Sequence, residues 1–424
     1  MTASRRSVLA ATATATAAAL YPTLGSSPAS AGARGQHPTP VRSGFERLRS
    51  DGYRLLEGQR VGVLTNATGV THDCRGIVEV MKDDPRVEVT AIFTGEHGYR
   101  GTPQAGESDG DTVDGPTGLP VYDTYRRSGK VLADVIAQSR IDTLVYDLQD
   151  CGARFYTSIW TLFDAMASAA MAGRRFVVLD RPNPITGRTP LGPVLDKGYA
   201  SFVGREPIAQ AHAMTPGELA LLFNERFLPA VGGRRVDLEV VTLSGWRRSE
   251  FYDATGLPWV PPSPNMATPD TALVYAGTCL FEGTNLSEGR GTVRPFELLG
   301  APGIDGSWAE AANTLCLPGV YFREAYYTPT FSKYAGEVVG GLQIHVHDRA
   351  AYDPVRTAIG LLITAKQTWP DFAWHPDHFV DKLAGTDRLR VMIDRGATLE
   401  EVVSSWQPEL AVFDSVRANH LLYH

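Results

Sequence analysis

Between Arg60 and Leu243, short β-branched runs alternate with segments of helical periodicity. That alternation restricts this half of the chain to a parallel sheet covered by helices on both faces. The expected strands are Arg60 to Leu64, Val87 to Phe93, Thr143 to Asp147, Arg175 to Leu179 and Val236 to Leu243. The expected helices are Gly76 to Lys82, Val131 to Ser139, Ile159 to Ala172 and Gly217 to Phe227. Thr215 is placed to cap the last of these, with Pro216 just inside its start.

The texture changes at Gly245. Residues 245–302 are rich in Pro, Gly, Asn and Ser and show little periodicity, the character of functional loop in a compact protein. A strand over Gly341 to His347 and a helix over Pro354 to Thr368 follow, then a second strand–helix pair near Leu389 and over Leu399 to Trp406. The expected organisation is a parallel-sheet domain over 44–244 and a smaller α+β domain over 245–424.

The N-terminus is a different text. Ser4-Arg5-Arg6-Ser7-Val8-Leu9 is a twin-arginine pattern, followed by an apolar Ala/Thr stretch to Leu20 and a small-residue site at Ala29-Ser30-Ala31. Residues 1–31 read as a Tat export signal and 32–43 as a short leader, which makes the mature protein secreted and extracytoplasmic. The formal charge of −7 contains no like-charge block that would suit nucleic acid. No apolar run approaches the roughly 20 residues of a membrane helix, so no stable membrane association is expected after signal cleavage. Cys74, Cys151, Cys279 and Cys316 form no CxxC pair and are assigned no chemistry.

In an open parallel sheet, ligands bind beyond the carboxyl ends of the strands. Thr65-Asn66 follows the first expected strand, and Gly95-Glu96-His97-Gly98-Tyr99-Arg100 the second. The third ends in Asp147 and runs into Gln149-Asp150-Cys151-Gly152-Ala153-Arg154-Phe155-Tyr156, and the fourth into Asp180-Arg181-Pro182-Asn183. Carboxylates on one rim can divide the work of general acid and of base or nucleophile, and arginines there can clamp an anion. The competing reading is that Asp147 and Asp180 cap helices or hold loops, that His97 orients a neighbour, and that Arg154 and Tyr156 are structural partners of Asp150. Glu96 stands out because Gly95 and Gly98 bracket it and admit close backbone approach.

The later loops supply a second cluster. Pro262-Ser263-Pro264-Asn265-Met266 is too rigid for a linker, and Glu282-Gly283-Thr284-Asn285-Leu286-Ser287-Glu288-Gly289-Arg290 places Asn, Glu and Arg among glycines. Planar amides, carboxylates and guanidiniums beside aromatic rings suit a sugar. No GxGxxG follows the first strand, and neither a P-loop nor a GxSxG elbow occurs. His345 and His347 share a strand face without a third ligand, so no metal is expected.

Thr65-Asn66-Ala67-Thr68-Gly69, the Gly95 to Gly101 loop, the Leu148 to Thr157 stretch, Leu179-Asp180-Arg181-Pro182-Asn183-Pro184, Pro262 to Met266 and Glu282 to Thr292 together resemble the exo-β-N-acetylmuramidase family (NamZ-like). The resemblance runs from about residue 44 to Tyr423. It implies a Rossmann-like domain followed by a smaller domain, with the active site in the cleft between them. It further implies release of terminal N-acetylmuramic acid from peptidoglycan fragments, a disaccharide or muropeptide, without a cofactor. Glu96 corresponds to the family's proposed catalytic residue, and His97 beside it is either a further catalytic group or an orienter of its neighbour. The expected partner of Glu96 is Asp150, then Asp147, or else the substrate's own acetamido group. The lactyl carboxylate is expected on Arg154 or Arg290, with Asn66, Arg100, Tyr156, Asp180, Arg181, Asn183, Asn265, Asn285 and Glu288 as further sugar contacts. Two departures stand out: Cys151 where a branched aliphatic is expected, and Ala213 where a glycine is expected. The alternatives are an exported muropeptide-binding protein without turnover, and an exo-hydrolase of another amino sugar.

Overall fold

A computed structural model describes residues 41–424. The expected export signal over 1–31 and residues 32–40 of the expected leader lie outside the described residues. The leader's last three residues belong to the fold: Val41 is buried, Arg42 bridges to Ser244, and Ser43 caps the helix Gly44–Ser50.

The described residues form one compact unit. Its first half is built on β1 (Arg60–Thr65), β2 (Glu88–Thr94), β3 (Thr112–Val113), β4 (Pro120–Asp123), β5 (Thr143–Asp147) and β6 (Arg175–Leu179). A small hairpin of β7 (Leu191–Val194) and β8 (Ala209–Ala211) precedes the last strand, β9 (Leu238–Val241). The main sheet has the order β3-β4-β2-β1-β5-β6-β9, parallel throughout except at the β3–β4 edge. From β1 the chain winds outward through β2 to β4, then returns to β5 and winds the other way. The switch point therefore lies between the carboxyl ends of β1 and β5, where ligands of such sheets bind.

Local chemistry explains the elements beside the switch point. Ser158–Ala172 is apolar on nearly every face and buried against the sheet, and it ends at Gly173 in a left-handed conformation. Thr215 caps Pro216–Leu222 in a reciprocal box with Glu218, as its sequence implies. The expected helix to Phe227 instead changes pitch: Leu228 N–H donates to Phe223 O across a π turn over Phe223–Phe227. Pro229, one residue on, has no N–H to offer the α-helical ladder.

The second half carries a three-stranded antiparallel sheet, β10 (Leu298–Ala301), β12 (Val339–Val346) and β11 (Val320–Tyr327) in that spatial order. The helices Gly306–Thr314 and Pro354–Thr368 accompany it, and Pro269–Thr278 packs on Pro354–Thr368. The strand expected near Leu389 is a helix, Arg388–Asp394. Its Arg-Leu-Arg-Val run alternates like a strand, but the residues it buries are Leu389 and Ile393, one helical turn apart.

The C-terminus closes back on the first half. Tyr423 donates to Asp180 Oδ2 at 2.5 Å, and its hydroxyl accepts from Leu243 N–H at 2.9 Å. Ala213 sits at φ 53°, the left-handed region that favours glycine, so the glycine expected there has a conformational reason.

Candidate active site

The loop after β2 carries Glu96 to the rim. Its turn uses two left-handed residues, His97 at φ 70° and Gly98 at φ 69°. A Cβ on Gly98 would lie 1.9 Å from an Asp109 carboxylate oxygen, so a side chain there is excluded by both conformation and space. His97 is buried, with Nδ1 3.0 Å from the Pro103 carbonyl. It props the loop and lines the cleft beside Glu96.

Glu96 is half-buried and held at both oxygens. Gly106 N–H donates to Oε1 at 2.6 Å, and Thr157 Oγ1, just before the helix Ser158–Ala172, donates to Oε2 at 2.5 Å. One side of the carboxyl group faces a cleft of about 230 Å³ lined from both halves of the fold. The first half contributes Glu96, Tyr125, Arg126, Phe155, Tyr156 and Phe202, and the second Ser263, Tyr275, Glu282, Arg290, Phe296 and Phe379. Tyr275 meets Phe155, Tyr156 and Phe296 edge-on, at centroid separations of 5.2, 6.1 and 4.7 Å. Phe202 stacks on Phe379. These rings offer a sugar's C–H face an apolar surface, while two carboxylates and two guanidiniums serve its polar edges.

The other side of Glu96 opens on a chamber of about 20 Å³, lined by Asn66, Gln149, His97 and Thr157. That is room for about one water. It lies at the switch point, between the ends of β1 and β5. Gln149 gives its amide hydrogens to the carbonyls of Asp150 and Pro182, and its buried Oε1 has no partner among the described residues. Asn66 uses Oδ1 to accept from the backbone and hydroxyl of Thr68 and meets this inner chamber rather than the cleft.

Several expected site residues are elsewhere. Asp150 is 0% exposed and holds Gly152 N–H, Ser158 Oγ and His212 Nε2. His212 Nδ1 accepts from Met214 N–H, which leaves the Nε2 proton for Asp150. Asp147 is paired with Arg181 inside the protein, where burial pushes the carboxyl upward in pKa and Arg181 opposes it. Asp180 accepts from Thr215, Gly217, Arg181 N–H and Tyr423, and burial raises it to about 7. Asn183 joins Met214 O to Ile185 N–H. These groups lie at the right end of the sheet, but Asp150, Asp180 and Asn183 spend their polar atoms on loops and caps, and Asp147 is buried against Arg181 with Oδ2 unpartnered among the described residues.

The remaining placements follow the same logic. Arg154 is 0% exposed and donates to the carbonyls of Pro193, Ile208 and Leu383, so it reaches no lactyl group. Arg100 pairs with Asp114 and Glu79 on the outer face of its loop. Asn285 clamps the loop at Asp371 and Ala373. Asn265 lines a separate groove beside β11. Glu288 is buried beneath Arg290, held by it at 3.2 Å and by Lys333 at 3.0 Å. Of the expected residues, Glu96, His97, Tyr156 and Arg290 meet in the cleft.

Glu282 completes the cleft and is absent from the residues expected by sequence, although it opens the Glu282 to Thr292 motif. It sits on the 3₁₀ turn Cys279–Gly283 that continues the helix Pro269–Thr278. Arg290 donates to its Oε1 at 2.6 Å. Burial raises its pKa; Arg290 opposes that and Glu288 adds to it. Two carboxyl groups on opposite halves of the fold thus line one aromatic cleft.

Family models for the N-terminal and C-terminal parts of exo-β-N-acetylmuramidase NamZ match residues 61–270 and 273–423. The peptidoglycan β-N-acetylmuramidase NamZ of Bacillus subtilis is 42% identical over 385 residues, covering 90% of this chain and 91% of that protein. Two crystal structures of DUF1343 family proteins from Bacteroides fragilis superpose with TM-scores of 0.83 and 0.73, at 32% and 29% identity. Each covers 91% of this chain and 99% of its own. With both family models matched end to end across the Glu96–Glu282 cleft, the chain belongs to the NamZ family of exo-β-N-acetylmuramidases.

Proposed function

We propose that this chain is an exo-acting glycoside hydrolase that releases terminal N-acetylmuramic acid from peptidoglycan fragments, with Glu96 as general acid. One observation carries the assignment of roles: Glu96 and Glu282 line the same aromatic cleft from opposite halves of the fold. Glycoside hydrolysis asks for such a pair, one carboxyl group to protonate the departing oxygen and one to stabilise positive charge or engage a nucleophile at the anomeric carbon.

Glu96 takes the acid role because it lines the cleft and, unlike Glu282, takes part in no ion pair among the described residues. Glu282 takes the second role because a cation, Arg290, is bound to it and opposes the upward push of burial on its carboxyl group. Tyr156 and Tyr275 form the wall against which the sugar ring lies. His97 sets the angle of the Glu96 loop from behind.

The test compares two chromogenic substrates, a β-N-acetylmuramide and the corresponding β-N-acetylglucosaminide, which lacks the lactyl ether. A charged hydrogen bond to the lactyl carboxylate contributes about 1.5–3 kcal/mol, so kcat/KM should favour the muramide by roughly ten- to a hundredfold. Equal rates on the two, or turnover of neither, contradict the proposal.

A further inference from the structure

The muramide differs from the glucosaminide by a lactyl ether that ends in a carboxylate. A site that prefers it needs a cation with free hydrogen-bonding capacity. Arg290, the expected candidate, is engaged: Glu282 and Glu288 bind its guanidinium, and Lys333 binds Glu288 from the other side. Two cations and two carboxylates close that cluster at zero net charge.

Arg126 is different. It lines the same cleft as Glu96, is exposed to solvent, and takes part in no ion pair among the described residues. Its neighbour Arg127 is tied to Asp111. The Arg126 guanidinium lies over two rings of the cleft wall, 5.1 Å from the Tyr125 centroid and 5.7 Å from that of Phe202. Stacking holds the planar fork in place while leaving its N–H groups open at the edge.

The backbone adds an independent observation. Arg126 has φ 56°, a left-handed conformation in a turn closed by Arg127 N–H to Thr124 O at 3.0 Å. Glycine is the default at such a position, and a residue with a Cβ there is strained. The turn is moored to the catalytic strand: the N–H and hydroxyl of Thr124 both donate to Thr94 O, at the end of β2, two residues before Glu96. A strained, unpaired arginine is therefore fixed relative to the proposed acid.

We propose that Arg126 binds the lactyl carboxylate of the substrate and so selects N-acetylmuramic acid over N-acetylglucosamine. The inference rests on the exo-muramidase reading and names the residue that carries its specificity. The planar guanidinium reaches the carboxylate through two parallel N–H···O bonds while its face stays on Phe202 and Tyr125.

The experiment uses a nitrophenyl β-N-acetylmuramide and the same glycoside with its lactyl acid converted to the neutral amide. Wild-type enzyme should prefer the acid by roughly ten- to a hundredfold in kcat/KM. In Arg126→Ala that preference should fall to near one, with the loss on the acid chiefly in KM. Arg126→Lys should recover only part of it, because the charge remains without the fork. Calorimetric titration with free N-acetylmuramic acid and N-acetylglucosamine reads the same selectivity without turnover. A wild-type protein that hydrolyses neither glycoside would remove the enzymatic reading, and the titration would still decide the role of Arg126. If Arg126→Ala keeps the acid-over-amide preference, or binds the two free sugars with the wild-type ratio, the assignment is overturned.

Discussion

Glu96→Gln should lower kcat on the N-acetylmuramyl–N-acetylglucosamine disaccharide by roughly 10²–10⁴-fold, the usual contribution of a general acid. Glutamine keeps the size of the side chain but cannot donate a proton as an acid. Its fold should be intact for a local reason. The amide oxygen can accept from Gly106 N–H as Oε1 does now, and the Thr157 hydroxyl can rotate to accept from the amide nitrogen. The exchange should change stability by less than about 1 kcal/mol. A nitrophenyl leaving group needs little protonation, so the variant's deficit on a nitrophenyl muramide should be much smaller than on the disaccharide. Steady-state kinetics on both substrates, beside a thermal melt, measure this. A well-folded variant with near-wild-type kcat on the disaccharide would remove Glu96 as the acid and leave Glu282 as the carboxyl group to examine.

Arg154→Met should destabilise the fold by about 3 kcal/mol. Arg154 donates to three buried carbonyls, from Pro193 on β7, Ile208 beside β8, and Leu383 in the second half of the chain. Methionine fills much of the volume but leaves three acceptors without donors, at about 1–3 kcal/mol each. Removing the cation recovers part of that, because burial already holds the Arg154 pKa down to about 9 and no carboxylate among the described residues compensates the charge. The arginine stays protonated at neutral pH and acts as a bracket across the two halves. Leu383, one of its acceptors, also lines the cleft, so the bracket supports the cleft wall from behind. Chemical denaturation reads the loss. A variant of wild-type stability with weakened substrate affinity would mean that Arg154 serves the ligand after all.

The contrast between these two residues shows what the sequence makes legible. The sheet was readable because each strand is a short β-branched run whose carboxyl end breaks into polar loop, and those loops do converge on one rim. β4 was missed because Pro120-Val-Tyr-Asp is a short strand with a proline at its start. The π turn at Phe223–Phe227 was hidden because its pattern is that of an ordinary helix until Pro229. At the site, sequence order says which residues reach the rim and not which way their polar atoms face. Asp147, Asp150, Asp180 and Arg154 all stand beside Glu96 in that order, yet each is buried and tied to internal partners. Glu282 carried a signal, since it opens the glycine-rich motif, but its place opposite Glu96 depends on how the second half docks. Arg126 carried none that spacing reveals: its proposed role rests on a left-handed turn and on its having no ion-pair partner among the described residues, and both are facts of three dimensions.

The most direct measurement is digestion of the N-acetylmuramyl–N-acetylglucosamine disaccharide by the protein spanning residues 32–424, followed by separation and quantification of the sugars. Free N-acetylmuramic acid and N-acetylglucosamine are expected in equal amounts, with the same release blocked when the non-reducing terminus is instead N-acetylglucosamine. An intact, folded protein that binds the disaccharide without releasing either sugar, or that removes a terminal N-acetylglucosamine as readily, would contradict the exo-muramidase reading.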